Sequence, residues 1–291
     1  MCNHGLVPDL IVRAEGVRKR YGDFWAVDGI DLEIARGECL AMLGPNGAGK
    51  TTFTEILEGF RSRDAGTVDV LGVDPAQSTS AWKSRIGIVL QQNRDLGDLT
   101  VTEAVHHFSH YYPHPASPDE VIAAVGLHES SGVRIDRLSG GQRRRLDVAL
   151  GIIGQPEMLF LDEPTTGFDP EARRDFWQLI DQLKLGGTTI LLTTHYLEEA
   201  EALADRVAVI ARGRLLACAP PDQLNGRNNG TTEVHWLDDG KVQIEKTTEP
   251  TAFIRDLSHR IGGEIPGLVV RRASLEDVYL QLIAGDAVES R

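Results

Sequence analysis

The sequence predicts an α/β fold, a parallel sheet covered by helices on both faces, followed by a smaller α+β unit. Three observations predict it. Short runs apolar on both faces (Cys39–Leu43, Met158–Leu161, Val207–Ile210) alternate with segments of helical character. The loops that end the first two runs are glycine-rich or acidic, as at ligand-binding ends of such sheets. Composition then changes at Asn225-Gly226-Arg227-Asn228-Asn229-Gly230, which reads as a linker, 225–230, between a domain over 10–224 and a small unit over 231–291.

The chain opens with short β-like runs, Leu10–Arg13, Val17–Arg20 and Ile30–Ile34, with Gly16, Gly22-Asp23 and Gly37 as turns. Cys39–Leu43 is the first buried strand, and from Lys50 a helical pattern runs to Gly59, a stop signal. Val68–Leu71 and Ile86–Leu90 read as strands. Residues from about 92 to 150 read as a mostly helical subdomain, in which Ser117-Pro118-Asp119-Glu120 has the form of a capping box. Met158–Leu161, a helix Glu171–Lys184, a strand Thr188–Thr193 and a helix Tyr196–Ala204 follow, and Arg212-Gly213 turns between two further strands. In the terminal unit Asp239-Gly240 is a hairpin signal, with a helix Thr251–Ile261, a strand Leu268–Arg271 and a helix Leu275–Ile283 behind it.

Bulk properties bound the function. The 291 residues carry a formal charge of −13, which argues against a nucleic-acid partner bound through basic surface. Cys2, Cys39 and Cys218 have no zinc or redox spacing and read as free thiols. No run approaches the roughly 18 apolar residues of a membrane span, and Met1–Pro8 lacks a signal peptide's apolar core. The expectation is a cytoplasmic chain whose membrane role, if any, passes through a partner.

Gly44-Pro45-Asn46-Gly47-Ala48-Gly49-Lys50-Thr51 matches G-x-x-x-x-G-K-[ST] between a buried strand and a helix. Glycines let backbone N–H groups converge on phosphate oxygens, and the helix start turns its positive end toward the same anion. Lys50 places a charge on the β- and γ-phosphates, the Thr51 hydroxyl is a Mg²⁺ ligand, and Thr52 counts with the binding residues. Asp162 and Glu163 end the buried run: Asp162 suits Mg²⁺, and Glu163 suits the water that attacks a phosphoryl group. His195 after Thr193-Thr194 reads, alone, as a structural residue. Leu138-Ser139-Gly140-Gly141-Gln142 opens a helix rich in Arg143, Arg144 and Arg145. The Ser-Gly-Gly step is a second candidate anion site, and the arginine run reads as a solvated or interface face. His106, His107, His110 and His114 read as polar helical surface rather than a metal site.

With these motifs in order over about residues 10–220, the chain resembles the ABC transporter ATP-binding subunits, built on a P-loop NTPase core with antiparallel β and helical subdomains. The resemblance implies that Tyr21 stacks on adenine and that Gln91 senses Mg²⁺ and couples to a membrane subunit. It implies that Ser139 and Gly141 belong to the signature motif, Asp169 to the D-loop, and His195 to the switch near the γ-phosphate. Phe168 departs from the usual Leu. Arg143–Ala149 and Ser274–Leu280 resemble the drug-export branch, of the daunorubicin and multidrug resistance type. The implied activity is ATP hydrolysis with Mg²⁺. The implied partners are a second copy, head to tail, and a separate transmembrane permease that holds the chain at the inner face of the membrane. An importer subunit, or a soluble ABC ATPase acting on ribosomes or DNA, is the competing expectation.

Overall fold

The computed structural model describes residues 9–89, 97–224, 232–238, 240–272 and 274–289. The chain divides into two compact units, Met1–Leu215 and Leu216–Arg291.

Unit one opens with a hairpin of two long strands, β1 (Leu10–Tyr21) and β2 (Phe24–Ala35), whose tight turn is Gly22-Asp23. Strand β3 (Cys39–Leu43) is buried at every residue, and β4 (Ala65–Val70) returns to pair antiparallel with β1, giving a sheet of order β2-β1-β4. Gly16 was expected to end a strand, but β1 runs through it. The ladder with β2 shifts register between Ala14 and Val17, and Gly16 there takes a φ of 58°, so it forms a bulge that bends one strand.

The main sheet is six-stranded, in the order β5-β6-β7-β3-β8-β9. It holds β5 (Ile86–Val89), β6 (Met158–Asp162), β7 (Thr189–Thr194), β8 (Arg206–Ala211) and β9 (Arg214–Ala219). β5, β6, β7, β3 and β8 run parallel. All six residues of β7 and all five of β3 are buried, which explains their unbroken apolar runs.

Helix α1 (Lys50–Leu57) follows β3 and ends with Gly59 at a φ of 75°, its N–H donating to Ile56 O as expected of a helix stop. A short α2 (Ser80–Lys83) carries Trp82, whose indole N–H donates 2.8 Å to Val70 O. The helical subdomain holds α3 (Val101–Ser109), α4 (Pro118–Ala124) and α5 (Gly140–Ile152). Its core, which includes Val105, Ile122, Leu127, Leu146 and Leu150, is continuous with the sheet's through Leu159 and Leu161. Ser117 is the N-cap residue of α4 and Pro118 its first residue, but no side-chain cap bond forms, so the expected capping box is absent there. Reciprocal boxes form instead at Thr100 with Glu103 and at Ser139 with Gln142, and the same pattern joins Ser274 and Asp277. Helices α6 (Pro170–Leu185) and α7 (Leu197–Leu203) complete the unit.

The second unit holds an antiparallel sheet of order β11-β10-β12, from β10 (Thr232–Asp238), β11 (Lys241–Thr247) and β12 (Val269–Arg272). Helix α8 (Pro250–Ile261) packs Leu257 with Val234, Trp236 and Ile265, and α9 (Leu275–Glu289) ends the chain. The expected linker, 225–230, lies outside the described residues. No described helix is long and apolar enough to cross a membrane.

Candidate functional site

Three neighbouring parallel strands, β6, β7 and β3, end side by side. Asp162 pairs with Thr193 and Leu43 with Thr194 across the ladders. The loops after them are the glycine-rich loop, Glu163-Pro164-Thr165, and His195-Tyr196. Sheet order alone therefore gathers the candidate residues at one edge.

The glycine-rich loop and the start of α1 form one wall of a cleft of about 480 Å³, lined by Asn46, Gly47, Ala48, Gly49, Lys50, Thr51 and Thr52, with Glu163, Ala26, Tyr21 and Phe24 around it. Gly49 precedes α1 and has no side chain to cap it, so the first-turn N–H groups meet no side-chain acceptor. Such a helix start suits phosphate oxygens. The glycines have different reasons to be there. A Cβ at Gly44 would strike Ile210 O, and one at Gly49 would strike Ala26 O, both well inside 3.0 Å. Gly47 has a φ of 78° and nothing within 4 Å of a built Cβ, so its bare backbone faces open cleft. Two of the three therefore allow close backbone packing, and only Gly47 keeps space for a ligand.

Lys50 is buried, at 6% exposure, and donates from Nζ to Gly44 O (2.7 Å) and Pro45 O (3.2 Å). Gly44 and Pro45 do not line the cleft but act through these carbonyls. Burial lowers the ammonium's proton affinity while the Glu163 and Asp162 carboxylates raise it. A buried ammonium hydrogen-bonded to carbonyls beside an open cleft suits an anion that compensates it.

The carboxylates are fixed from β7. Thr193 donates its hydroxyl to Asp162 Oδ1. Glu163 takes a φ of 44°, and its N–H is bonded to Thr193 O (3.0 Å) and Thr193 Oγ1 (3.2 Å), so its side chain is turned out of the strand line. Glu163 Oε1 lies 3.3 Å from His195 Nδ1. The structure thus joins His195 to Glu163, where sequence reading alone favoured a structural histidine. The His195 ring sits 4.1 Å from that of Tyr196, which Arg173 covers at 4.6 Å.

Tyr21 stands at the cleft mouth, 43% exposed, with Lys19 Nζ 5.8 Å and Arg61 Cζ 5.5 Å from its ring centre. Ser139, Gly141 and Asp169 are not among the described residues that line the cleft. Ser139 Oγ accepts from Gln142 N, and Asp169 Oδ1 accepts from Glu171 N (3.0 Å) and Ala172 N (2.8 Å), so both cap helices. Gln91 lies outside the described residues.

Sequence reading missed Arg144. It is no solvated residue: it is 6% exposed and donates to Asp162 O (2.6 Å) and Pro164 O (2.9 Å), clamping the helix that follows Ser139 onto the end of β6. No local pattern marks it, because its partners lie 18 and 20 residues away. The histidine stretch does nothing comparable: His110 Nδ1 bonds to His106 O (2.7 Å) of its own helix. Cys39 is buried in β3, and burial pushes its thiol up to about 12, an inert group.

Residues 27–166 match the family model described as ABC transporter. Across almost the whole chain, the daunorubicin resistance ATP-binding protein DrrA3 of Streptomyces coeruleorubidus is 42% identical, covering 96% of this chain and 97% of its own. This chain belongs to the ABC transporter ATP-binding family. A Nod factor export ATP-binding protein I of Ralstonia nicotianae is 36% identical over 94% of the chain and 93% of its own. A solved ATP-binding subunit of an ABC transporter superposes with a TM-score of 0.70 at 19% identity, over 94% of this chain and 99% of that one, which shows the fold through the second unit as well. As an ABC ATP-binding protein the chain binds ATP and hydrolyses it as the motor subunit of a transporter.

Proposed function

We propose that this ABC motor subunit powers export of a small molecule through a separate membrane permease. Two relatives named for daunorubicin resistance and Nod factor export support export over import and over action on ribosomes or DNA. The observation that carries the mechanism is the gathering of Lys50, Glu163 and His195 at one sheet edge, with the chain's own Ser139 and Gly141 absent from that cleft's described lining.

On this reading Gly44–Thr52 cradle the nucleotide phosphates, Lys50 exchanges its carbonyl partners for β- and γ-oxygens, and Tyr21 stacks on the adenine. Glu163 accepts the proton of the attacking water, and His195, 3.3 Å from it, contacts the γ-phosphate. Thr51, Asp162 and Gln91 are the candidate Mg²⁺ ligands, and the Thr193 hydroxyl aims Asp162 at that task. Bound there, Mg²⁺ would neutralise charge on the β- and γ-phosphates. Ser139, Gly141 and Asp169 serve the cleft of a second copy docked head to tail. ATP thereby favours a closed dimer, and hydrolysis releases it.

The permease seats at a second cavity, about 290 Å³, walled by Ile86, Ile88, Phe108, Tyr112 and Leu150, with Phe60 exposed at its rim. The chain is then peripheral on the cytoplasmic face of the membrane. The test is purification with a candidate permease from detergent extract, with and without Phe60→Glu. Retention of the native chain, loss of the variant and transport-stimulated ATP turnover are expected. Equal retention of both forms would remove that cavity from the interface.

A further inference from the structure

The interior between α6 and α7 holds a carboxylate that nothing described above uses. Glu199 of α7 is fully buried. Around it stand groups from three other elements: Thr165 from the loop after β6, Thr194 at the end of β7, and Trp177 and Arg173 from α6. Thr165, Thr194 and Trp177 are close enough to lower its proton affinity, yet burial outweighs them and keeps it above the usual carboxylate range. Both Glu199 oxygens, the Thr165 hydroxyl, the Trp177 indole N–H and Arg173 Nε all lack a hydrogen bond of ordinary geometry.

That is five open polar atoms in one place, where folded proteins leave few. Glu38, another buried carboxylate of this unit, is satisfied: it accepts from Ala35 N (2.8 Å) and Arg206 (3.1 Å). A carboxylate kept only to join elements would look like it. Glu199 instead stands among groups from both loops that follow the catalytic strands. Thr165 lies two residues beyond Glu163, and Thr194 is next to His195. Thr194 Oγ1 already accepts from Tyr196 N (3.0 Å), which leaves its hydroxyl proton to donate to Glu199.

We propose that Glu199 is a positioning residue for hydrolysis, its buried carboxylate tying the loop that carries Glu163 to the loop that carries His195. Arg173 extends the tie, since it covers the Tyr196 ring and lies 3.8 Å from Glu198 on α7. Arg144 reaches the same place, for its charge interacts with Glu199 while it holds Asp162 O and Pro164 O. The carboxylate acts by registering the two loops, not by touching nucleotide.

The inference rests on Glu163 and His195 serving hydrolysis, so the experiment carries Glu163→Gln as a control. ATP turnover and ATP affinity are measured on the full chain with Mg²⁺, for Glu199→Ala, Glu199→Gln, His195→Ala and the double variant Glu199→Ala/His195→Ala. Thermal unfolding confirms that each is folded at the assay temperature. Glu199→Ala is expected to lower kcat about tenfold or more with ATP affinity within about twofold. Glu199→Gln, whose amide oxygen still accepts from the hydroxyls and the indole, recovers kcat to within about threefold of native. The double variant is no slower than the slower single one, since both act through one loop. A folded Glu199→Ala with native kcat overturns the proposal, as does a fall in kcat matched by a fall in affinity that Glu199→Gln does not repair. If Glu163→Gln itself turns over ATP normally, the reading of the catalytic residues fails first.

Discussion

Gly47 and Gly49 stand two residues apart in one loop, both at positive φ, yet alanine should damage them in different ways. At Gly49, with a φ of 102°, the new methyl would strike Ala26 O. Positive φ costs a non-glycine residue about 1–2 kcal/mol, and forcing a backbone clash to relax costs about 1–3 kcal/mol. Together that is roughly 3 kcal/mol, which for a unit of this size lowers Tm by about 6–12 °C. At Gly47, with a φ of 78°, the methyl meets nothing within 4 Å, so only the conformational part remains, about 1 kcal/mol and 2–4 °C. The methyl at 47 instead enters the space where phosphate is to sit, and ATP affinity should fall at least about tenfold. Calorimetric unfolding without nucleotide and titration with ATP read the two effects separately. Equal destabilisation by both variants would refute the packing argument. Native affinity in Gly47→Ala would refute the assignment of that wall of the cleft.

Lys50→Ala should weaken ATP binding at least about tenfold, the scale of one lost charged hydrogen bond, and titration calorimetry checks it. Glu58 predicts a pH effect. It is 6% exposed among the residues lining the second cavity, and burial, with Asp162 and Glu55 nearby, raises its carboxyl from 4.5 to about 7. The folded chain then holds a proton that the unfolded chain releases, so this group's contribution to stability falls as pH rises from 4.5 to about 7 and is flat above. Glu58→Gln removes that slope and should raise stability at pH 8 by up to about 3 kcal/mol relative to native. Denaturant unfolding at pH 5 and pH 8 measures it, and an unchanged difference between the two pH values would contradict it.

The parts of the fold that rest on local pattern were legible. β3, β6 and β7 are buried on both faces, so they appear as unbroken apolar runs, and the glycine-rich loop declares itself between strand and helix. The cleft was legible for the same reason, since strand ends collect its residues. Three kinds of feature were hidden. Gly16 reads as a turn because a bulge uses the same residue type as a chain reversal. Ser117 has the sequence form of a capping box, while the side-chain bond forms instead at Thr100 and Ser139. Arg144 and Glu199 look like ordinary polar residues of surface helices. What makes them different is a set of partners supplied by distant segments, which no local period encodes. The link between His195 and Glu163 was likewise visible only once β6 and β7 lay side by side.

In the proposed cycle two copies of this chain share ATP across their clefts, and hydrolysis assisted by Glu163 releases them. Sedimentation of Glu163→Gln in MgATP tests this most directly. A species of two chains carrying two unhydrolysed ATP molecules is the expected result, reverting to monomer when nucleotide is removed. A monomer at saturating ATP, or a dimer whose bound nucleotide is already ADP, would contradict it.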